Sequence, residues 1–141
     1  MTLPATMRAA VYRRYGPPNV VSIEEVPTPV PGPNDLLVRV RATTVTSADW
    51  RMRSLSLPYG FGRIGRLAIG ITGPRQPILG SEFSGDVVAI GAGMTEFAIG
   101  DAVIGFTGIK LGAHAEYCRI AANGLVVHKP NELDYQSAAA L

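Results

Sequence analysis

Residues 36–42 alternate: Leu36, Val38, Val40 and Ala42 take one set of positions, with Arg39 and Arg41 on the other. A period of two with one polar face predicts a half-buried antiparallel strand. Short apolar runs at residues 7–13, 20–26, 86–90, 102–106, 115–120 and 125–128 extend the pattern, separated by glycine or by Asn123-Gly124. Tyr15-Gly16-Pro17-Pro18 reads as a turn cluster, and the proline-rich residues 27–34 as an extended, semi-rigid crossing. Many short strands with frequent corners predict a mainly β chain, a barrel or a sandwich.

Two segments depart from that period. Thr46 precedes Asp49 by three positions, the spacing of a capping box, and predicts a short helix over residues 46–53. Residues 134–141 are rich in helix formers, with Ala138, Ala139, Ala140 and Leu141, but show no capping signal. They read as the start of a helix that continues in a longer polypeptide, or as a frayed terminal turn.

Composition narrows the class. With 141 residues, 47% hydrophobic and 17% charged, the chain is expected to be one folded domain rather than a disordered segment. The net charge of +2 is too small to argue for a nucleic-acid partner. The single cysteine, Cys118, rules out an internal disulfide framework and suits a reducing cytoplasm. No apolar run approaches the ~20 residues needed to cross a bilayer, and residues 1–6 lack the regions of a signal peptide. A cytoplasmic domain without a membrane partner is the expectation. Charge is nevertheless uneven: residues 50–81 hold Arg51, Arg53, Arg63, Arg66 and Arg75 and no carboxylate or lysine. That stretch reads as a mobile lobe able to attract phosphate groups, or as a solvated face, or as a segment packed on another domain.

The glycines of residues 80–93 invite a phosphate-loop reading. Gly91 and Gly93 follow an apolar run, but the next position of a G-x-G-x-x-G fingerprint holds Glu96, and no helix is predicted after it. Corner and close-approach roles in a small barrel fit better. The spacing Gly80-x-Glu82-x-x-Gly85, then Gly91, Gly93 and Gly100-Asp101-x-Val103, resembles the signature of the medium-chain dehydrogenase/reductase superfamily. The opening run Met7-Arg8-Ala9-Ala10-Val11, the connector from Pro29 to Val38, Gly112-Ala113-His114-Ala115-Glu116-Tyr117 and the run from Lys129-Pro130 to Ala140 are similar to that family in the same order. The resemblance implies a GroES-like, partly open β-barrel over residues 1–141, the catalytic domain of such enzymes, with a Rossmann domain for the cofactor following it.

The resemblance also implies a branch. Zinc alcohol dehydrogenases carry a cysteine ligand in C-x-[ST]-D and a histidine ligand in G-H-E. Those positions fall here on Thr46 and Ser81, and hydroxyls are poor zinc ligands. Asp49 and Glu82 make only a weak cation signal, and His114 and His128 lie outside the motif positions, so no metal site is expected. The pattern resembles the zinc-free quinone oxidoreductases, enoyl-thioester reductases and alcohol dehydrogenase-like proteins. That implies NADPH or NADH as cofactor in the full-length protein, a small-molecule substrate, and a possible homodimer of the full-length protein. Thr46, Asp49 and Trp50 are the candidate catalytic residues, with Thr46 and Ser47 also facing the cofactor. Thr46 as a helix cap alone, and Trp50 as core, remain the simpler alternatives. A second functional class is a GroES-like barrel serving only as a binding module, or a degenerate remnant.

Overall fold

In a computed structural model, which describes residues 2–141, the strands form two antiparallel sheets. β1 (Thr6–Tyr12) and β2 (Val21–Pro27) pair from Thr6 opposite Pro27 to Tyr12 opposite Val21. β3 (Asp35–Thr43), β4 (Glu82–Ile90), β5 (Ala102–Phe106), β6 (Tyr117–Ala121) and β7 (Leu125–His128) make the second sheet, in the order β6-β3-β4-β5-β7. Irregular bonds, not a ladder, join the two sheets. The Ala10 N–H donates to the His114 carbonyl at 2.9 Å and the Tyr12 N–H to the Pro77 carbonyl at 2.9 Å. Glu116 stands between β1 and β3, donating its N–H to Arg8 at 3.0 Å and accepting from Val40 at 2.9 Å. Its carboxylate takes the Arg8 backbone N–H at 2.8 Å and the guanidinium at 2.9 and 3.1 Å. The outcome is the mainly β, partly open barrel that the resemblance implied.

The core explains where the alternation fails. Leu36, Leu37 and Val38 are all fully buried, so the first half of β3 is covered on both faces. Leu36 and Val38 pack with Phe83, Val87, Val103 and Ile120, while Leu37 packs with Met7 and Tyr117. A central strand with two covered faces loses its polar side. Alternation survives only beyond Val38, where Arg39, Arg41 and Thr43 are exposed.

Several boundaries shift for physical reasons. β4 starts at Glu82, four residues before the apolar run, because Gly85 passes against β3 where an added Cβ would lie 2.1 Å from the Arg39 carbonyl oxygen. β6 starts at Tyr117, since Ala115 makes only an isolated bridge to Ala9. The first helix, α1 (Ser47–Ser54), follows Thr46 as expected. The arginine stretch contains an unanticipated helix, α2 (Gly62–Ile69), and the Tyr15 hydroxyl donates to the Gly70 carbonyl at its C-terminal end at 2.9 Å. The last helix, α3 (Tyr135–Ala139), does have a cap: Asp134 accepts from the Ser137 N–H at 2.7 Å. The buried Ala138 and Ala139 lie on α3, and the Ser84 hydroxyl of β4 donates to the Tyr135 carbonyl at 2.5 Å. In the glycine-rich corner, the Gly91 and Gly93 N–H groups donate to the Asp35 and Pro33 carbonyls at 2.9 and 3.0 Å. These donors hold the connector rather than a phosphate.

The packing is testable at Gly85, Gly62 and Cys118. Gly85→Ala drives a Cβ into backbone that cannot yield cheaply, so urea unfolding should show a loss of roughly 2 kcal/mol or more. Gly62→Ala, on α2 with nothing within 4 Å, should be neutral or stabilising. Cys118 is buried in the core, and burial pushes its thiol from 9.0 up to about 12. The folded chain keeps that proton after the unfolded chain has lost it. The contribution to stability is therefore whole below about pH 8.5 and declines as pH rises from there toward 12. Native protein should resist iodoacetamide near about pH 8 and react once unfolded, as mass spectrometry will read.

Candidate functional site

β3 ends at Thr43, and three residues later Thr46 caps α1 with an extended backbone. The short distance along the chain matters, because it sets the helix start beside the entry to β4. The link between them is Asp49. It is the one buried residue of α1, only 3% exposed, and both carboxylate oxygens are engaged. Oδ2 accepts the Thr46 N–H at 2.8 Å and the Thr46 hydroxyl at 3.0 Å. Oδ1 accepts the Gly80 N–H at 2.8 Å. A buried carboxylate demands such donors, and each donor in turn gains a charge-assisted bond.

Gly80 is suited to that role by conformation and by space. Its φ is +86°, and a Cβ would lie 2.8 Å from the His114 backbone nitrogen. Beyond it, the buried Ser81 offers its carbonyl to the Thr107 N–H at 2.7 Å. Asp49 therefore holds Thr46 through one oxygen and Gly80, the neighbour of Ser81, through the other. The Thr44 hydroxyl donates to Glu82 Oε2 at 2.5 Å, and the Thr43 hydroxyl donates to the Glu82 carbonyl at 2.7 Å. His114 Nε2–H donates to the Thr44 carbonyl at 2.8 Å. Behind α1, Met52 packs beside Tyr12, Leu79 and Leu111. Burial, with Tyr15 and Asp49 adding to it, pushes the Tyr12 phenol up to about 12.

The structure thus brings together only part of the expected set. Thr46 and Asp49 touch, and Thr46 is half-buried. Ser47 is exposed, and Trp50 is 50% exposed, so its ring is not core. The sequence reading missed the ring of contacts around them, in which Thr44, Glu82 and His114 join β3, β4 and the loop before β6. No local signal marks these partners: His114 and Thr44 are 70 residues apart in sequence. Among the described residues, no group of three or more His, Cys, Asp or Glu side chains is placed to hold a metal ion.

The clasp should be measurable. Asp49→Ala leaves the Gly80 N–H buried without its acceptor and removes the carboxylate from the helix start. Urea unfolding should show a loss of about 3 kcal/mol. Asp49→Asn, which keeps one oxygen but turns a donor toward the other N–H, should lose less than Asp49→Ala and more than nothing.

Residues 32–131 match the family described as alcohol dehydrogenase GroES-like domain. A quinone oxidoreductase of Pseudomonas aeruginosa is 34% identical over 131 residues, which cover 92% of this chain and 35% of that protein. Among solved structures, the quinone oxidoreductase from Coxiella burnetii superposes with a TM-score of 0.82 at 29% identity, over 96% of this chain and 41% of that one. A mycobacterial protein solved in complex with NADPH superposes with a TM-score of 0.76 at 28% identity, over 96% of this chain and 37% of that one. The chain therefore spans well under half the length of these proteins. A family match over so much of the sequence is decisive: the chain belongs to the alcohol dehydrogenase GroES-like domains of the medium-chain dehydrogenase/reductase superfamily.

Proposed function

We propose that this chain is the substrate-side domain of a zinc-independent, NAD(P)H-dependent oxidoreductase that reduces a quinone, an enone or a similarly activated carbonyl compound. The observation that carries the reading is the corner at Asp49, where hydroxyls stand at both positions that hold cysteine and histidine ligands in zinc-binding relatives. That donor set does not fit zinc. Thr46 and Ser81 are neutral alcohols, and Asp49 is surrounded by hydrogen-bond donors where a cation would need lone pairs. The names of the quinone oxidoreductase relatives, and the NADPH bound by the similar mycobacterial protein, support the reaction class.

The nicotinamide cofactor would supply a hydride, held by a Rossmann domain on adjoining polypeptide. The residues of this chain position and stabilise the acceptor. A quinone or enone spreads its developing negative charge over a conjugated system, so hydrogen-bond donors suffice where a simple carbonyl calls for a Lewis acid. Thr46 is built for that task. Its hydroxyl has one proton and two lone pairs. While the proton rests on Asp49, a lone pair is free to accept from a ribose hydroxyl. When the proton turns toward an acceptor oxygen, Asp49 Oδ2 still keeps the Thr46 N–H, so the corner does not collapse. The exposed Ser47 adds a second hydroxyl on the cofactor side, and the exposed face of Trp50 offers a flat apolar surface to a planar acceptor.

The 141-residue chain alone should not oxidise NADPH, whereas a polypeptide that also carries the cofactor domain should do so with a quinone or enone. In that longer protein, Thr46→Val should lower kcat by about a hundredfold, and Thr46→Ser should retain most activity. Turnover by the chain alone, or an unaffected Thr46→Val variant, would overturn the assignment, as would stoichiometric zinc in the purified protein.

A further inference from the structure

Between the end of β3 and the start of α1 the chain leaves the sheet, and residues 44–46 belong to no strand or helix. Val45 has 84% of its surface in solvent, so packing does not hold this crossing in place. The position of the Thr46 hydroxyl therefore depends on hydrogen bonds at either end. Asp49 acts from the helix side, because its two bonds to Thr46 lie within one turn. The hold from the sheet side is at Thr44. There the hydroxyl donates to Glu82 Oε2 at 2.5 Å, and the carbonyl accepts from His114 Nε2–H at 2.8 Å.

His114 can brace the crossing because its own backbone is anchored. Its N–H donates to the Leu79 carbonyl at 3.0 Å, and its carbonyl accepts from the Ala10 N–H at 2.9 Å. The ring then spans two segments. Nε2 reaches Thr44, while Cδ2 stands beside Gly80 on the side where a Cβ would point. Gly80 is also the residue whose N–H goes to Asp49 Oδ1. The approach to α1 and the approach to β4 are thus joined twice, by the Asp49 carboxylate and by the His114 imidazole.

On the reading that the Thr46 hydroxyl faces the acceptor, we propose that His114 is a positioning residue for hydride transfer. Its Nε2–H holds the Thr44 carbonyl and so fixes where the Thr46 hydroxyl stands. The role asks only for a donor, with no change of charge on the imidazole. What the ring supplies is precision. A hydroxyl displaced by about 1 Å from the oxygen it should stabilise loses much of its effect on the transition state. Ground-state binding changes less, so the loss falls on kcat.

Two substitutions separate the donor from the ring. His114→Phe keeps a ring beside Gly80 and removes the donor, whereas His114→Gln keeps an N–H near the place of Nε2–H. Both belong in the longer polypeptide that carries the cofactor domain. His114→Phe should lower kcat about tenfold with KM within about twofold, and His114→Gln should stay within about threefold of the parent. Because Glu82 keeps its hold on the Thr44 hydroxyl, the loss should be smaller than that of Thr46→Val. Amide hydrogen exchange over residues 44–47 should be about tenfold faster in His114→Phe than in the parent, while β4 keeps the parent rate and reports an intact fold. Equal kcat losses in the two variants would overturn the proposal, because an ionisable imidazole and not its donor would then be what matters. Parent-like kcat in His114→Phe, a loss carried by KM, or unchanged exchange over residues 44–47 would overturn it too. A parent protein that reduces no quinone or enone refutes the assignment of function and this role together. An active parent with an unaffected His114→Phe variant refutes the role alone.

Discussion

A carboxylate removed from water must be surrounded by donors, and Asp49 obtains them from two elements that are far apart in sequence. Thr46 gives its N–H and hydroxyl from the same helix turn, and Gly80 gives its N–H from the approach to β4. Much of the corner depends on this. The start of α1 is fixed against the approach to β4, and Gly80 is held where it can pass His114. The Thr46 hydroxyl is itself bonded to this carboxylate.

Sequence reasoning reached the parts of the molecule that are determined locally. The strands at residues 102–106 and 125–128 coincide with β5 and β7, because each has one face turned from the core and turn residues at its ends. Helix α1 was legible from the three-residue spacing between Thr46 and Asp49. The failures share a different cause. Leu37 escaped the alternation rule because a second sheet covers its side of β3, and no pattern within β3 records that. Asp134 has the residue type of a cap, but the five-residue helix it starts is too short to show the apolar period that would mark its beginning.

The site was legible only in outline. Thr46 and Asp49 were visible because they lie on one helix turn. The Thr44–Glu82 and Thr44–His114 bonds were not, because they close only when β3, β4 and the loop before β6 have met. The arginine stretch shows the same limit from another side. Its charge was evident in the sequence, but the glycines and prolines around it concealed an eight-residue helix with separate apolar and cationic sectors.

The wide sequence separation across the site has a kinetic meaning. Asp49 is 31 residues from Gly80 in sequence, and Thr44 is 70 from His114. Closing such loops costs entropy before any bond repays it, and chains dominated by distant contacts fold slowly. α1 can nucleate early on its own cap, but the corner at Asp49 is complete only after the barrel has curled. That corner therefore assembles late, and a partly folded chain would carry the helix without the bonds that tie it to the approach to β4.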